Sequence, residues 1–412
     1  MDSSASTAVR LNPFKRPDGE LPILEGSQQV PWSPYGHILK ERPVFTLHPL
    51  FHAGCYYVQD SSAMYVGYIF RKLLGSARSA AAVRLPGDVM GAEPPSKALA
   101  QRSNPVRVLD LCAAPGGKTT DIAASLREVC GDDFLLVSNE VMKDRFRILK
   151  DNVARWGDPN VALTSVDPAA FARLEGFFDI IVADVPCSGE GMFRKDARAV
   201  EEWSPEVVQL CAARQKRILA DVWQSLKPGG VLVYSTCTYE DSENDSNLEW
   251  ASSELGGKII QPTNEFASWG VEQTRCGNLL RAGVVPGEGQ WVGALVKDGD
   301  AGTAWRAGAD ALNILHPVRM GINRGEQKGK DFIPDADWAL SIGFPRGEYP
   351  EAALDKPTAL SYLHRDTIVL PEAPIGYNLV TYKGIALGFV KNLGRRCNNL
   401  YPQARRILMD VK

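Results

Sequence analysis

Val106-Arg-Val-Leu-Asp110-Leu-Cys-Ala-Ala-Pro-Gly-Gly-Lys118 carries a short apolar strand into a turn of small residues, and from there into a helical pattern running from Lys118 to Cys130. Such a joint lies where open parallel sheets hold ligands, beyond the carboxyl ends of their strands. Small side chains let the backbone close on a ligand, and Gly116 and Gly117 permit dihedrals denied to other residues. The amides at the helix start can receive a carboxylate, such as the α-carboxyl of a methionine-derived cofactor. The same residues also suit an ordinary tight turn. A dinucleotide fingerprint G-x-G-x-x-G is absent and Pro115 intrudes, which counts against a nicotinamide cofactor.

Outward from this joint, apolar strands alternate with helices, the signature of a parallel sheet covered on both faces. The pattern predicts strands at Val106–Leu111, Phe134–Glu140, Val161–Ser165, Phe178–Asp184 and Val231–Thr236, and helices at Lys143–Trp156 and Pro205–Leu226. Ser204 can cap the last helix with Pro205 at its first position, and Lys227-Pro-Gly-Gly230 can stop it. Leu279–Val285 and Gln290–Lys297 suit a closing antiparallel hairpin. Before the sheet, Pro13–Pro43 reads as strands and turns, and Ser61–Leu74 as an amphipathic helix. Ala77–Asn104 reads as an exposed insertion and Asp298–Asp310 as a linker. The expected units are therefore a small N-terminal module at 1–45, an α/β domain with a parallel sheet at 46–298, and a linker with a smaller C-terminal region at 299–412.

The 412 residues hold 46 Lys and Arg against 49 Asp and Glu, a net charge of −3, so no global basic field marks a nucleic-acid partner. Local charge is another matter: from Lys391 onward, Lys391, Arg395, Arg396, Arg405, Arg406 and Lys412 face only Asp410. That segment suits an RNA backbone or a merely solvated face. No apolar run reaches membrane-spanning length and no basic, then apolar, leader opens the chain, so a soluble cytoplasmic protein is expected.

Eight cysteines form no C-x-x-C pair, so no zinc ribbon or other metal site is expected. Two of them stand at strand ends. Asp184-Val-Pro-Cys187-Ser-Gly189 follows one predicted strand and Cys237 follows another, on the edge where doubly wound sheets keep their chemistry. Two thiols and a carboxylate beside the glycine loop match the needs of cytosine C5 methylation. C5 is too weak a nucleophile to attack a sulfonium methyl until a thiolate adds at C6, and a base must then remove the C5 proton. Cysteine suits the first role, and Asp184 can stabilise charge on the N3 and N4 edge of the base. Lys118 is a candidate cation at the loop, or a plain solvent-facing helix lysine. Glu140, about twenty residues past the glycine loop, can accept from ribose hydroxyls. Asp167 can accept from an adenine amino group, though Asp-Pro is equally a turn dipeptide.

D-L-C-A-A-P-G-G-K-T from Asp110, D-V-P-C-S-G-E-G-M-F-R-K from Asp184 and Y-S-T-C-T from Tyr234 occur in this order, and with them the chain resembles the Nol/Nop/Sun-type RNA cytosine-C5 methyltransferases, most closely the bacterial RsmF-type 16S rRNA enzymes. His48-Pro-Leu-Phe-His-Ala-Gly54 and Tyr56-Tyr-Val-Gln-Asp-Ser-Ser-Ala-Met64 are similar to the stretch before that family's cofactor loop. Gly384-Ile-Ala-Leu-Gly388 and Asn398-Asn-Leu-Tyr-Pro402 resemble its PUA-like tail. The resemblance implies an α/β fold, with a Rossmann-like class I methyltransferase domain between a small N-terminal module and a C-terminal PUA-like domain. It implies S-adenosyl-L-methionine as cofactor, held by Cys112, Ala113, Ala114, Pro115, Gly116, Gly117, Lys118, Glu140, Arg145, Asp167 and Asp184. It assigns attack on C6 to Cys237 and assistance in product release to Cys187, where the strand-end argument alone leaves both thiols open. The implied partner is RNA, 16S rRNA or the small ribosomal subunit, met by a monomer without membrane or metal. A tRNA substrate, a catalytically idle ribosome-assembly factor and a small-molecule methyltransferase are the competing readings.

Overall fold

The computed structural model of the chain describes residues 6–80, 105–195, 197–262, 267–299 and 309–411. Its first strands, β1 (Ala8–Leu11), β2 (Gln28–Gln29) and β3 (Gly36–Ile38), are joined after the short helix α1 (Pro49–His52) by β4 (Tyr56–Val58), in the order β2-β3-β1-β4. The fourth strand thus lies past the boundary at residue 45 expected from sequence. Helix α2 (Met64–Ala80) starts later and runs further than its predicted span, so Ala77–Ala80 are helical rather than part of an insertion. Residues 81–104 of that expected insertion, and 300–308 of the expected linker, lie outside the described residues. Helix α2 buries Met64, Tyr65, Val66, Phe70 and Leu74. It lies close on the next helix, because a Cβ at Gly67 would meet Asp121 Oδ2 at 2.0 Å.

The central unit follows as β5 (Val106–Asp110), α3 (Gly117–Cys130), β6 (Phe134–Asn139), α4 (Lys143–Trp156), β7 (Val161–Thr164), β8 (Phe178–Asp184), α5 (Ala197–Glu202), α6 (Pro205–Trp223), β9 (Leu226–Thr236) and α7 (Asp245–Leu255). It closes with β10 (Gly257–Ile259), β11 (Glu272–Gln273), β12 (Gly277–Leu280) and β13 (Gln290–Lys297), and β14 (Arg319–Met320) joins from beyond the expected linker. The sheet order is β11-β12-β13-β9-β8-β5-β6-β7-β14, with β10 on β13. Strands β5 to β9 are parallel, and β13 returns antiparallel against β9. Every residue of β5 is buried, as a strand covered on both faces demands. The chain leaves β5 toward β6 and β7, then returns to its other side for β8 and β9. Ligand crevices form at such a reversal.

Three boundaries differ from the sequence pattern, each for a local reason. Helix α6 begins as expected, with Ser204 Oγ accepting from Val207 N at 3.3 Å and Pro205 in the first turn, but it ends at Trp223. Lys227-Pro-Gly-Gly230 is a ladder irregularity inside β9, whose register against β8 shifts between Leu226 and Val231, with Gly229 at φ 72°. The hairpin partner of β13 stops at Leu280, because residues 281–289 turn away through Arg281-Ala-Gly-Val284. A two-residue strand such as β14 has no periodicity to read.

The last unit holds β15 (Gly325–Lys328), β16 (Asp331–Pro334), α8 (Ala336–Ala339), β17 (Glu351–Ala353), α9 (Lys356–His364), β18 (Gly376–Tyr382), β19 (Ile385–Asn392) and β20 (Cys397–Asn399), with β17 to β20 in one sheet. One apolar cluster joins it to the N-terminal sheet: Val9, Leu50 and Tyr56 pack with Leu360, Leu363 and Ile407. The two ends of the chain share a core.

Two residues of the basic tail, Lys391 and Arg405, face acids that a count along the tail does not show. Arg405 is largely buried, with Nε on Asp151 Oδ1 of α4 at 2.8 Å and Nη1 on Asp337 Oδ1 of α8 at 2.5 Å, and Lys391 pairs with Asp331 at 2.6 Å. These partners are distant in sequence, so a count of charge along the tail missed them. Replacing Arg405 with Met takes its cation from Asp151 and leaves the more buried Asp337 with Arg319 alone. We expect Arg405→Met to lower unfolding free energy by about 3 kcal/mol, the low end for removing one partner of a buried pair. Urea denaturation measures it, and an unaltered midpoint would show that the pair does not fasten the tail.

Candidate active site

Strand β8 ends at Asp184 directly beside Ser235 of β9 in parallel register, and this pairing brings together the residues just beyond the two strand ends. Cys187 Sγ and Cys237 Sγ lie 3.3 Å apart, and Cys237 N donates to Cys187 Sγ at 3.3 Å. Across the crevice, Lys118 Nζ from the first turn of α3 binds Asp184 Oδ2 at 2.8 Å, while Ser235 Oγ donates to Asp184 Oδ1 at 2.7 Å. Gln290, at the start of β13, donates to Thr236 O at 2.9 Å and reaches Asp184 Oδ1 at 3.4 Å. Lys118 is therefore not the solvent-facing lysine that its helix position allowed.

The two thiols differ in kind. The hydrogen bond from Cys187, and after it the Lys118 cation, hold the Cys237 thiol below its ordinary value against burial and the Asp184 charge. The same bond, then burial, pushes Cys187 well above its ordinary value; the Cys237 amide opposes this without reversing it. Lys118 itself is pulled down by burial but raised on balance by Asp184. The hydrogen bond with Cys187, with the Lys118 cation beside it, favours thiolate at Cys237 over Cys187.

The glycine loop is clamped from three sides. Gly116 caps α3 at φ 109°, a conformation that favours glycine. Arg145 Nη2 donates to Ala114 O at 2.7 Å, Asn152 Nδ2 to Pro115 O at 2.7 Å, and Ala113 N to Asn139 O at 2.8 Å. From the N-terminal sheet, Tyr57 Oη donates to Pro115 O at 3.2 Å, and the fully buried Arg10 donates to Gly117 O at 3.2 Å and Thr120 Oγ1 at 2.5 Å. Arg10 is held in turn by Gln59 at 2.8 Å and the Trp156 ring at 4.6 Å. Burial pushes the neighbouring Cys112 thiol upward, away from reactivity.

Two buried carboxylates border this loop with oxygens to spare. Glu140 Oε1 accepts from Met142 N at 2.8 Å, while Oε2 has no hydrogen bond among the described residues and sits 3.5 Å from Arg145 Nη1. Asp110 Oδ2 accepts from Thr119 Oγ1 at 2.5 Å, and its Oδ1 likewise lacks a partner. Asp167 is exposed and caps a short helical turn through Ala169 N at 3.0 Å, the turn role that its sequence allowed, with its second oxygen still available.

Sequence reasoning missed the residues that position Cys187. Glu243, fully buried, accepts from Ser188 N at 3.1 Å and Gln215 Nε2 at 2.7 Å. Gly191 N donates to Cys237 O at 2.8 Å, and Gly191 packs so closely on Gly289 that a Cβ there would meet Gly289 O at 2.6 Å. Arg194 holds Glu288 at 2.9 Å, and Lys195 holds Asp60. The stretch G-E-G-M-F-R-K was legible as a motif, but the partners of its Arg194 and Lys195 lie more than ninety residues away.

This geometry stands in a recognisable setting. The model of the 16S rRNA methyltransferase RsmB/F family matches residues 97–275, that of the N-terminal domain of 16S rRNA methyltransferase RsmF matches 1–61, and that of the methyltransferase RsmF PUA domain matches 349–407. The chain is 30% identical over 375 residues to ribosomal RNA small subunit methyltransferase F of Shigella boydii serotype 18, covering 77% of each. The chain belongs to the RsmB/F methyltransferase family. The same protein of Klebsiella pneumoniae is 29% identical over 373 residues, covering 77% of this chain and 76% of the relative. In fold, the chain is similar to a methyltransferase homologue from Pyrococcus horikoshii, with a TM-score of 0.51 and 24% identity over 71% of this chain and 87% of that one. It is also similar to NSun6 of that organism, solved with SFG, with a TM-score of 0.50 and 18% identity over 72% and 92%. The α/β class and the PUA unit expected from sequence are therefore those of this RsmB/F chain. Among the described residues no helix is long and apolar enough to cross a membrane.

Burial raises the Asp110 carboxyl to about 7, against about 4 in an unfolded chain. Between those values the folded state binds the extra proton, so this group makes stability fall as pH rises from 4 to 7. Asp110→Asn, without added cofactor, should flatten that part of the stability–pH curve. A curve that keeps its slope in the variant would show that Asp110 ionises normally.

Proposed function

We propose that this RsmB/F chain methylates C5 of a cytosine in small-subunit rRNA, with Cys237 as the attacking thiolate and Cys187 assisting its release. The observation that carries the assignment is the unequal pair of thiols 3.3 Å apart, with the Cys187 hydrogen bond, helped by the Lys118 cation, favouring thiolate at Cys237. The 16S rRNA substrate rests on the family match and on the names of the relatives.

The cofactor reading rests on the unused hydrogen-bonding capacity around the loop. The loop from Cys112 to Lys118 offers helix-start amides for a carboxylate, and the spare oxygen of Glu140 suits a ribose hydroxyl. Asp167 can take an adenine amino group, Arg145 holds the loop and balances Glu140, and Asp184 lies beside the methyl-accepting crevice. S-adenosyl-L-methionine bound there supplies a methyl group on a sulfonium centre.

The chain's own residues do the rest. Cys237 Sγ forms a bond to C6, which leaves C5 electron-rich. Asp184 meets the N3 and N4 edge of the base and stabilises the charge that develops as sulfur adds. After C5 is methylated, loss of its proton re-forms the C5–C6 double bond and breaks the S–C6 bond, returning Cys237. Cys187 is within contact of the departing sulfur and assists that step. The same chemistry belongs in the cytoplasm, where rRNA is assembled, and requires no second subunit.

RNA containing 5-azacytidine tests the roles, since nitrogen at position 5 carries no proton to lose. Wild-type protein with cofactor should form a covalent adduct, Cys237→Ala none, and Cys187→Ala an adduct that persists even on ordinary cytosine. Trapping that survives in Cys237→Ala but vanishes in Cys187→Ala would exchange the two assignments. Lys118→Met should lower kcat on the order of 10²-fold, the scale of a lost electrostatic donor. Methyl transfer to 16S rRNA, free and in the small subunit, against tRNA identifies the substrate, and transfer to tRNA alone would overturn the rRNA reading.

A further inference from the structure

Two adjoining cavities lead away from the cofactor loop to the C-terminal tail. The first, about 130 Å³, lies beside Tyr57 and Asn152, whose side chains both hold Pro115 O. The second, about 380 Å³, is lined by His52, Arg405, Arg406 and Leu408 among others, and the two share Phe51 and Arg155 as a common wall. The second is built by the N-terminal module, the end of α4 and the tail. It exists only because the chain's two ends pack together.

Arg155 is the unexplained group here. Its guanidinium lies 5.1 Å from the Phe51 ring centre, its Nε is buried without a hydrogen bond, and it forms no ion pair among the described residues. Asp151, one turn earlier on α4, is taken by Arg405 at 2.8 Å, and Asp337 by Arg405 and Arg319. His52 adds no charge, since burial holds it at about 4. Among the described residues the Arg406 side chain makes one hydrogen bond, Nη1 to Gln403 O at 3.2 Å. At the rim Leu408 is 78% exposed and Met409 41%, so an apolar pair stands beside the two arginines. Arg155 is half-buried, and its Nε, buried without a hydrogen bond, costs stability that an anion at the guanidinium can offset. Arginines interleaved with aromatic and apolar faces are what a single nucleic-acid strand requires.

We propose that this channel binds the sugar–phosphate backbone of the RNA strand flanking the target nucleotide, with one phosphate on Arg155, a neighbouring one on Arg406, and ribose or base faces on Leu408 and Met409. The inference rests on the RNA-methylating function above and adds to it a phosphate subsite at the seam of three units. It gives the packing of the chain's two ends a direct part in substrate binding.

Full-length protein and transcribed 16S rRNA provide the test. Arg155→Met and Arg406→Ala should each weaken binding several-fold and reduce the slope of log K against log salt by about 0.7 for each phosphate no longer neutralised. The loss should appear in KM for RNA, with cofactor affinity retained, and Arg155→Lys should recover part of it. Arg406 is only half-buried, so Arg406→Ala decides the matter if Arg155→Met does not fold. An unaltered affinity and salt slope in Arg406→Ala, with wild-type protein binding RNA normally, overturns the channel. Wild-type protein that neither binds nor methylates RNA instead overturns the underlying function. Inorganic phosphate separates the two sources of the ligand: if it raises the melting temperature of wild type but not of Arg155→Met, while RNA affinity is the same in both, the site takes a free phosphate and the RNA assignment fails.

Discussion

The parallel pairing of Asp184 with Ser235 is the constraint on which the site depends. In a parallel ladder, adjacent strands end on the same edge, so residues a few places beyond each end meet without any long excursion. Cys187 and Cys237 are such residues, and their contact at 3.3 Å follows from the register. A slip of one residue would turn Asp184 and Ser235 to the other face of the sheet and separate the carboxylate from Lys118. The apolar runs of β8 and β9, buried on both faces, resist that slip.

The remaining units fasten this edge rather than supply its chemistry. Arg10 and Tyr57 reach from the N-terminal sheet to the backbone of the glycine loop, and Asp60 pairs with Lys195 beyond Cys187. The first sixty residues thus touch both the cofactor side and the thiol side of the crevice. The C-terminal unit touches neither directly. It packs on the N-terminal sheet through Ile407 and Leu363 and grips α4 through Arg405, so any influence it has on the loop passes through α4 and β4.

The sequence made the centre of this arrangement legible and left its supports unread. Strands β5 to β8 and helix α4 carry strong periodic patterns, and the motifs around Gly116, Cys187 and Cys237 sit at their ends, where chemistry has a physical reason to be. Family resemblance, not spacing, chose between the two thiols; the structure adds the electrostatic difference that spacing lacked. Arg10, Gln59 and Glu243 could not be found, because a buried polar residue is defined by partners distant in sequence and leaves no local period. Arg405 was misplaced within the basic tail for the same reason. Arg405 reads as surface charge, but its carboxylates lie 254 and 68 residues away.

Two kinds of buried charge result, and they do opposite things. Lys118–Asp184 and Arg405–Asp151–Asp337 are paired: each cation meets carboxylates at hydrogen-bond distance, which fixes geometry at the crevice in the first case and at the tail in the second. Glu140 Oε2, Asp110 Oδ1 and Arg155 Nε are among the charged groups buried without a hydrogen-bond partner among the described residues. Such a group is costly, and an arriving ligand that satisfies it offsets the cost. Glu140 and Asp110 border the cofactor loop, while Arg155 stands beyond it on α4. That division matches a cofactor with hydroxyl and amino donors on one side and a phosphate backbone on the other.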